Sequence, residues 1–129
     1  MRLLLDTHTL LWFIGGDAAL SPYARQLIED RTNERLLSIA SLWEMAIKVS
    51  LGRLTVPLPF TALVAEHVYG NAIALFGILP SHLDVLLTLP FYHKDPFDRL
   101  IIAQGQAENI PILSRDSVFD DYAIQRLWT

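Results

Sequence analysis

The stretch HKDPFDRLIIAQ (93–104) sets two aspartates three positions apart around a proline, at the entrance to an apolar run. Carboxylates so placed have two uses. As helix-start residues, Asp95 suits an N-cap, Pro96 the first turn, and Asp98 the positive end of the helix dipole. As hard oxygen donors, they can hold a divalent cation if further acids join them. Three candidates stand elsewhere: Asp6 at the end of RLLLD, Glu44 in SLWEMAIK and Asp116 in SRDS.

Each acid also has a purely structural reading. Ser41 and Glu44 have the spacing of a capping box, and Glu44 with Lys48 makes a favourable i,i+4 pair. Asp6 before Thr7 suits a turn, and Asp116 an Asx-turn. Taken together they carry a different implication. Carboxylates about 5 Å apart repel by roughly 3 kcal/mol per pair at an effective dielectric near 20, so a converging set must take up protons or a cation. Oxygen-only ligation completed by water suits Mg²⁺ or Mn²⁺.

The acids act together only if the fold gathers them. Short apolar runs, RLLLD (2–6), RLLSI (35–39), AIALFGI (72–78), PILS (111–114) and AIQRLW (123–128), read as strands. Between them lie helical patterns at 21–30, 41–52, 60–68 and 81–89, and a further one after Pro96. Continuously apolar strands separated by helices predict an α/β fold, a three-layer α/β/α sandwich around a mainly parallel sheet, with residues 1–129 as one domain. Ligand sites of such sheets lie beyond the carboxyl ends of the strands. On that map Asp6 ends the first strand, Glu44 enters the first turn of the helix after RLLSI, Asp98 opens the helix after Pro96, and Asp116 follows PILS. All four fall on one edge.

A chain of 129 residues can bury about two-thirds of its unfolded surface. It has no cysteine, so any metal is held by oxygen or imidazole. The net charge of -4 argues against a surface that coats nucleic acid, while leaving room for a local site where cations reverse the sign. Asp6 and His8 interrupt the apolar run that an export signal would require, and no run reaches a membrane span. The expectation is a soluble, cytoplasmic protein.

Four segments in order, LLLDTHTLLWF, SIASLWEMAIKVSLGRL, HKDPFDRLIIAQ and PILSRDSVFDDYAIQRLW, together resemble the PIN-domain ribonucleases, in particular the VapC-type toxins of bacterial toxin-antitoxin pairs. The resemblance implies that Asp6, Glu44, Asp98 and Asp116 form the family's acidic quartet, which gathers Mg²⁺ or Mn²⁺ and cleaves RNA by metal-assisted attack of water. It also implies that Ser114 supports Asp116 and that Thr7 orients the loop after Asp6. For Asp95 the preferred role is helix cap, with a water-mediated contact to the site as the alternative. A homodimer and a small antitoxin partner are further implications, with Trp12, Phe13 and Ile14 offered as part of the subunit contact.

Lys48, Arg53, Lys94, Arg99 and Arg115 lie near the proposed edge in sequence and are candidates for contact with RNA phosphates; the alternative for each is a solvated charge. His93 can help in the same way or position a neighbour, but lacks the nearby cysteine or histidine expected of a metal ligand. Trp12, Trp43 and Trp128 read as base-stacking platforms or, alternatively, as core and interface residues. Two other readings compete, another phosphoryl-transfer fold and a domain without catalysis. A haloacid-dehalogenase-like phosphatase needs an aspartate where His8 stands, and the acid pair of a receiver domain is missing. A non-catalytic interaction domain would make every acid a cap or turn residue.

Overall fold

Strand β1 (Arg2–Leu5) explains the architecture in four residues. Leu3, Leu4 and Leu5 are all fully buried, which requires both faces of the strand to be covered. The computed structural model, which describes residues Met1–Thr129, covers them with two layers of helices. β1 lies at the centre of a five-stranded parallel sheet with β2 (Glu34–Ser38), β3 (Ala74–Phe76), β4 (Ile112–Leu113) and β5 (Arg126–Leu127), in the order β3-β2-β1-β4-β5. Leu4 stands opposite Leu36 on one side and Ile112 on the other.

Alternation along the strands divides the core in two. Leu3, Leu5, Leu37 and Leu113 point into one half with helices α1 (Thr7–Gly15), α2 (Pro22–Glu29), α3 (Ile39–Ser50) and α4 (Phe60–Leu63), the last of which continues as a π-helical turn over Val64–Val68. Leu4, Leu36 and Ile112 point into the other half with α5 (Pro80–Thr88) and α6 (Pro96–Glu108). This is the expected three-layer sandwich, with every strand pair parallel. No helix is long and apolar enough to cross a membrane.

Two local expectations need correction. No element was expected over residues 7–15, where α1 lies; Leu10 is buried and Leu11 to Ile14 are half-buried, so this helix is apolar on most sides and shows no 3.6-residue alternation. The second concerns α3, which starts three residues earlier than the Ser41–Glu44 capping box implies. Ser38, in extended backbone, accepts from Ala40 N–H and caps the helix. Ser41 is therefore interior, its Oγ accepting from the Thr7 hydroxyl, and there is no Ser41–Glu44 capping box. Glu44 consequently sits in the second turn of α3, where its side chain can reach across to neighbouring elements.

Gly105 sets how closely α6 lies on the sheet. A Cβ there would stand 2.8 Å from Ile112 Cδ1 and 3.1 Å from Ile110 O. Gly105→Ala gains up to about 1 kcal/mol in helix propensity, but overpacking typically costs about 1–3 kcal/mol. Urea denaturation is expected to register a net loss of about 1–2 kcal/mol, and an unchanged midpoint would mean that Ile112 gives way freely.

Candidate metal centre

The acids reach the carboxyl edge of the sheet by different local routes. Asp6 follows β1 directly, and its carboxylate caps α1 by accepting from Thr9 N–H at 2.9 Å. Glu44 comes from α3, 4% exposed, with one oxygen 2.9 Å from Lys48 Nζ and the other buried without any hydrogen-bond partner. Asp98 stands in the first turn of α6. Asp116 follows β4 and caps the short helical turn Ser117–Asp121 through Val118 N–H. Asp95 is the N-cap of α6, accepting from both Phe97 and Asp98 N–H, as preferred from sequence.

Asp98 carries the electrostatic signature of the cluster. Burial first, and then the charges of Asp95, Asp6, Glu44 and Asp116, push its carboxyl up to about 8. Asp6 is raised as well, by burial, against the pull of hydrogen bonding from Ser114 and Thr9. Four acids from four segments thus act on one carboxyl group. Such a group lowers its free energy by binding a proton or a cation, and the bare Glu44 oxygen is a buried acceptor awaiting a donor or an ion. All of these donors are carboxylate oxygens, which fits Mg²⁺ or Mn²⁺.

Two hydroxyls hold this edge together. Thr7 ties the start of α1 to α3 through Ser41, and the buried Ser114 accepts from Asp116 N–H at 3.0 Å. Ser114 therefore touches both Asp6 and the backbone of Asp116.

The cations divide. Arg99, a candidate for RNA contact or else a solvated charge, is instead an internal residue: it is buried, donates to Pro90 O at 2.7 Å and Leu89 O at 3.2 Å, and lies 3.9 Å over the Phe91 ring. Lys48 is paired with Glu44. Arg53 lies beyond the end of α3, past two further turns of helix from Glu44. Lys94 and Arg115 are exposed beside the acids. Arg115 lines a cleft of about 250 Å³ with Asp6, His8, Trp12 and Asp116. Of the tryptophans, Trp12 and Trp128 pack edge-to-face on each other and against the first core half, while Trp43 is 58% exposed and meets Phe97 edge-to-face.

His93 is drawn into the acids more closely than the sequence suggested. Its Nε2 lies 3.0 Å from Asp116 Oδ2 and 3.2 Å from Asp98 Oδ2, with the three groups' candidate ligand atoms within 4.8 Å of one another. The sequence signal is its place in the same segment as Asp95 and Asp98, while its other partner, at position 116, is 23 residues away.

A pH dependence follows from Asp98. Folded protein holds this proton up to about pH 8, whereas the unfolded chain loses it near 3.8. The folded state binds more protons between those limits, so this contribution to stability is complete below about pH 4 and is lost as pH rises towards 8. A cation would expel the proton. Calorimetry with Mg²⁺ at about pH 6.5, in two buffers of different ionisation enthalpy, is expected to register about one proton released per ion, falling towards zero at about pH 9. No release at the lower pH would mean that Asp98 is already ionised.

Known proteins can be set beside this geometry. No curated protein matches the chain in sequence. The fold is similar to that of VapBC2 from Rickettsia felis, solved bound to a DNA fragment from its promoter, with TM-score 0.74 and 14% identity over 100% of both chains. FitAB bound to an IR36 DNA fragment gives 0.67 and 15%, over 97% of this chain and 93% of that one. FitAcB from Neisseria gonorrhoeae gives 0.61 and 14%, over 98% and 96%. At such identities the likeness is one of fold. The PIN domain family matches residues 3–125, nearly the whole described chain, and the protein belongs to that family.

Proposed function

We propose that the chain is a divalent-metal-dependent endoribonuclease that hydrolyses RNA phosphodiester bonds, and that it is the toxin of a toxin-antitoxin pair acting in the cytoplasm as one PIN domain over residues 1–129. The observation that carries the reading is the convergence on Asp98 of charge from Asp6, Glu44, Asp95 and Asp116. Family membership supports it, as does the likeness in fold to VapBC2 and FitAB.

Asp6, Asp98, Glu44 and Asp116 would hold Mg²⁺ or Mn²⁺. The bound ion would acidify a water, draw in a phosphate oxygen and stabilise the departing oxygen. The chain's own groups do the rest. Asp6 and Asp116 are fixed by their capping bonds, Glu44 offers its unpartnered oxygen as acceptor for the attacking water's proton, and Arg115 and Lys94 meet neighbouring phosphates.

The interaction-domain reading has one observation in its favour: Asp6, Asp95 and Asp116 do cap helical turns. It leaves Asp98 and Glu44 unexplained. Asp98 caps nothing and is held against like charge, and the Lys48 pair accounts for only one Glu44 oxygen, leaving the other buried without a partner.

For the partners, Trp12, Phe13 and Ile14 already pack against the chain's own core. Leu79 at the N-cap of α5 and Leu83 and Leu87 on its outer face, with Phe91 and Tyr92 beyond it, remain exposed and form the better candidate for the subunit contact of a homodimer. In this reading the antitoxin would lie along the cleft at Trp12 and Arg115, where an inserted segment would block the acids. Incubation of purified protein with RNA decides the main point. Cleavage that requires Mg²⁺ or Mn²⁺ and is lost in Asp6→Asn is the expected result. Cleavage surviving both EDTA and that substitution would overturn the proposal.

A further inference from the structure

His93 is engaged on both sides of its ring. The N–H of Asp95 donates to Nδ1 at 3.2 Å, so Nδ1 is an acceptor and the proton of the neutral imidazole belongs on Nε2. That Nε2–H faces Asp116 Oδ2 and Asp98 Oδ2 together. A neutral imidazole that ligates through Nε2 would have to carry its proton on Nδ1, pointing at the Asp95 N–H, which would set two donors against each other. Direct ligation therefore conflicts with the local backbone, whereas donation to the two carboxylates agrees with it.

The ring is also held firmly. The His93 N–H donates to Tyr122 Oη at 2.7 Å, and that hydroxyl donates in turn to Pro90 O at 2.8 Å. Arg99 donates to Leu89 O, Pro90 O and His93 O, while Phe119 meets the imidazole edge-on. So many restraints on a seven-residue connection aim one N–H at one place. We infer that His93 is a positioning residue for the metal centre: its Nε2–H bridges Asp98 and Asp116 and sets how their carboxylates face a bound cation.

This inference rests on the proposed metal-dependent reading, and it requires that His93 act through Asp98 and Asp116 without contacting the ion. Partners one step removed from a metal typically change its affinity by about 10–100-fold when removed. His93→Ala is expected to raise the Kd for Mn²⁺ by that factor with little change in melting temperature. His93→Gln, whose amide N–H can reach the same oxygens, is expected to recover most of the loss.

Nitrogen NMR of the wild-type imidazole at about pH 8.5 supplies the readout that a merely structural residue would not move. A proton on Nε2 that stays there when saturating Mg²⁺ is added supports the inference. A proton on Nδ1, loss of the Nε2 proton with Mg²⁺, or equal or tighter Mn²⁺ binding by His93→Ala overturns it. Failure of the nuclease reading would look different, because wild type itself would then bind no Mn²⁺, and the inference would fall with it.

Discussion

Asp98→Asn is expected to give a protein that is inactive yet harder to unfold. The substitution removes the carboxylate on which the other acids converge, and an amide is a poor ligand for Mg²⁺. Loss of RNA cleavage should exceed about 10²-fold, beyond the effect typical of residues one step from a metal. Stability should move the other way. With its carboxyl pushed up to about 8, Asp98 opposes the folded state increasingly as pH rises through the neutral range. The neutral amide removes that opposition, worth about 1–3 kcal/mol at about pH 8 in EDTA, and it still offers His93 an acceptor. Urea denaturation beside an RNA cleavage assay reads both quantities. A variant that is active, or that is less stable at about pH 8, would remove Asp98 from the centre.

Arg99→Met is expected to be the most damaging change outside the acids, through stability. The guanidinium is buried and its bonds run to the main-chain carbonyls of Leu89, Pro90 and His93. Methionine keeps the volume and strands these carbonyls, at about 1–3 kcal/mol for each acceptor that water cannot reach. A loss of about 3 kcal/mol or more should appear in denaturation, with weaker Mn²⁺ binding as His93 loses its support. Had Arg99 served RNA, as its neighbourhood in sequence implied, stability would be unchanged and only the KM for RNA would rise. The two measurements separate these cases without reference to each other.

What could be read from sequence follows from the range of the physics involved. The leucines of β1 and β2 announce strands buried on both faces, and Asp95-Pro96 announces the start of α6, because in each case the signal lies within a few residues. Helix α1 gave no signal since it is apolar on most sides and so lacks a period. At α3, Ser38 and Ser41 are both chemically suited to cap; Thr7, brought in by the fold, takes Ser41. The acidic quartet was legible as four strand ends and helix starts on one edge of a parallel sheet. Arg99 was not, because its partners are backbone carbonyls, and for His93 the sequence offered only the role of positioning some neighbour, since its partner Asp116 lies on another segment, which no side-chain pattern reports.

Crystals soaked in Mn²⁺ decide whether the four acids gather a cation, since the anomalous signal of the metal reports where it binds. A peak is expected within bonding distance of carboxylate oxygens of Asp6 and Asp98, with Glu44 and Asp116 bound directly or through water and His93 outside the ligand set. No peak there at saturating Mn²⁺, with the acids bonded only to one another and to backbone N–H groups, would contradict a metal centre.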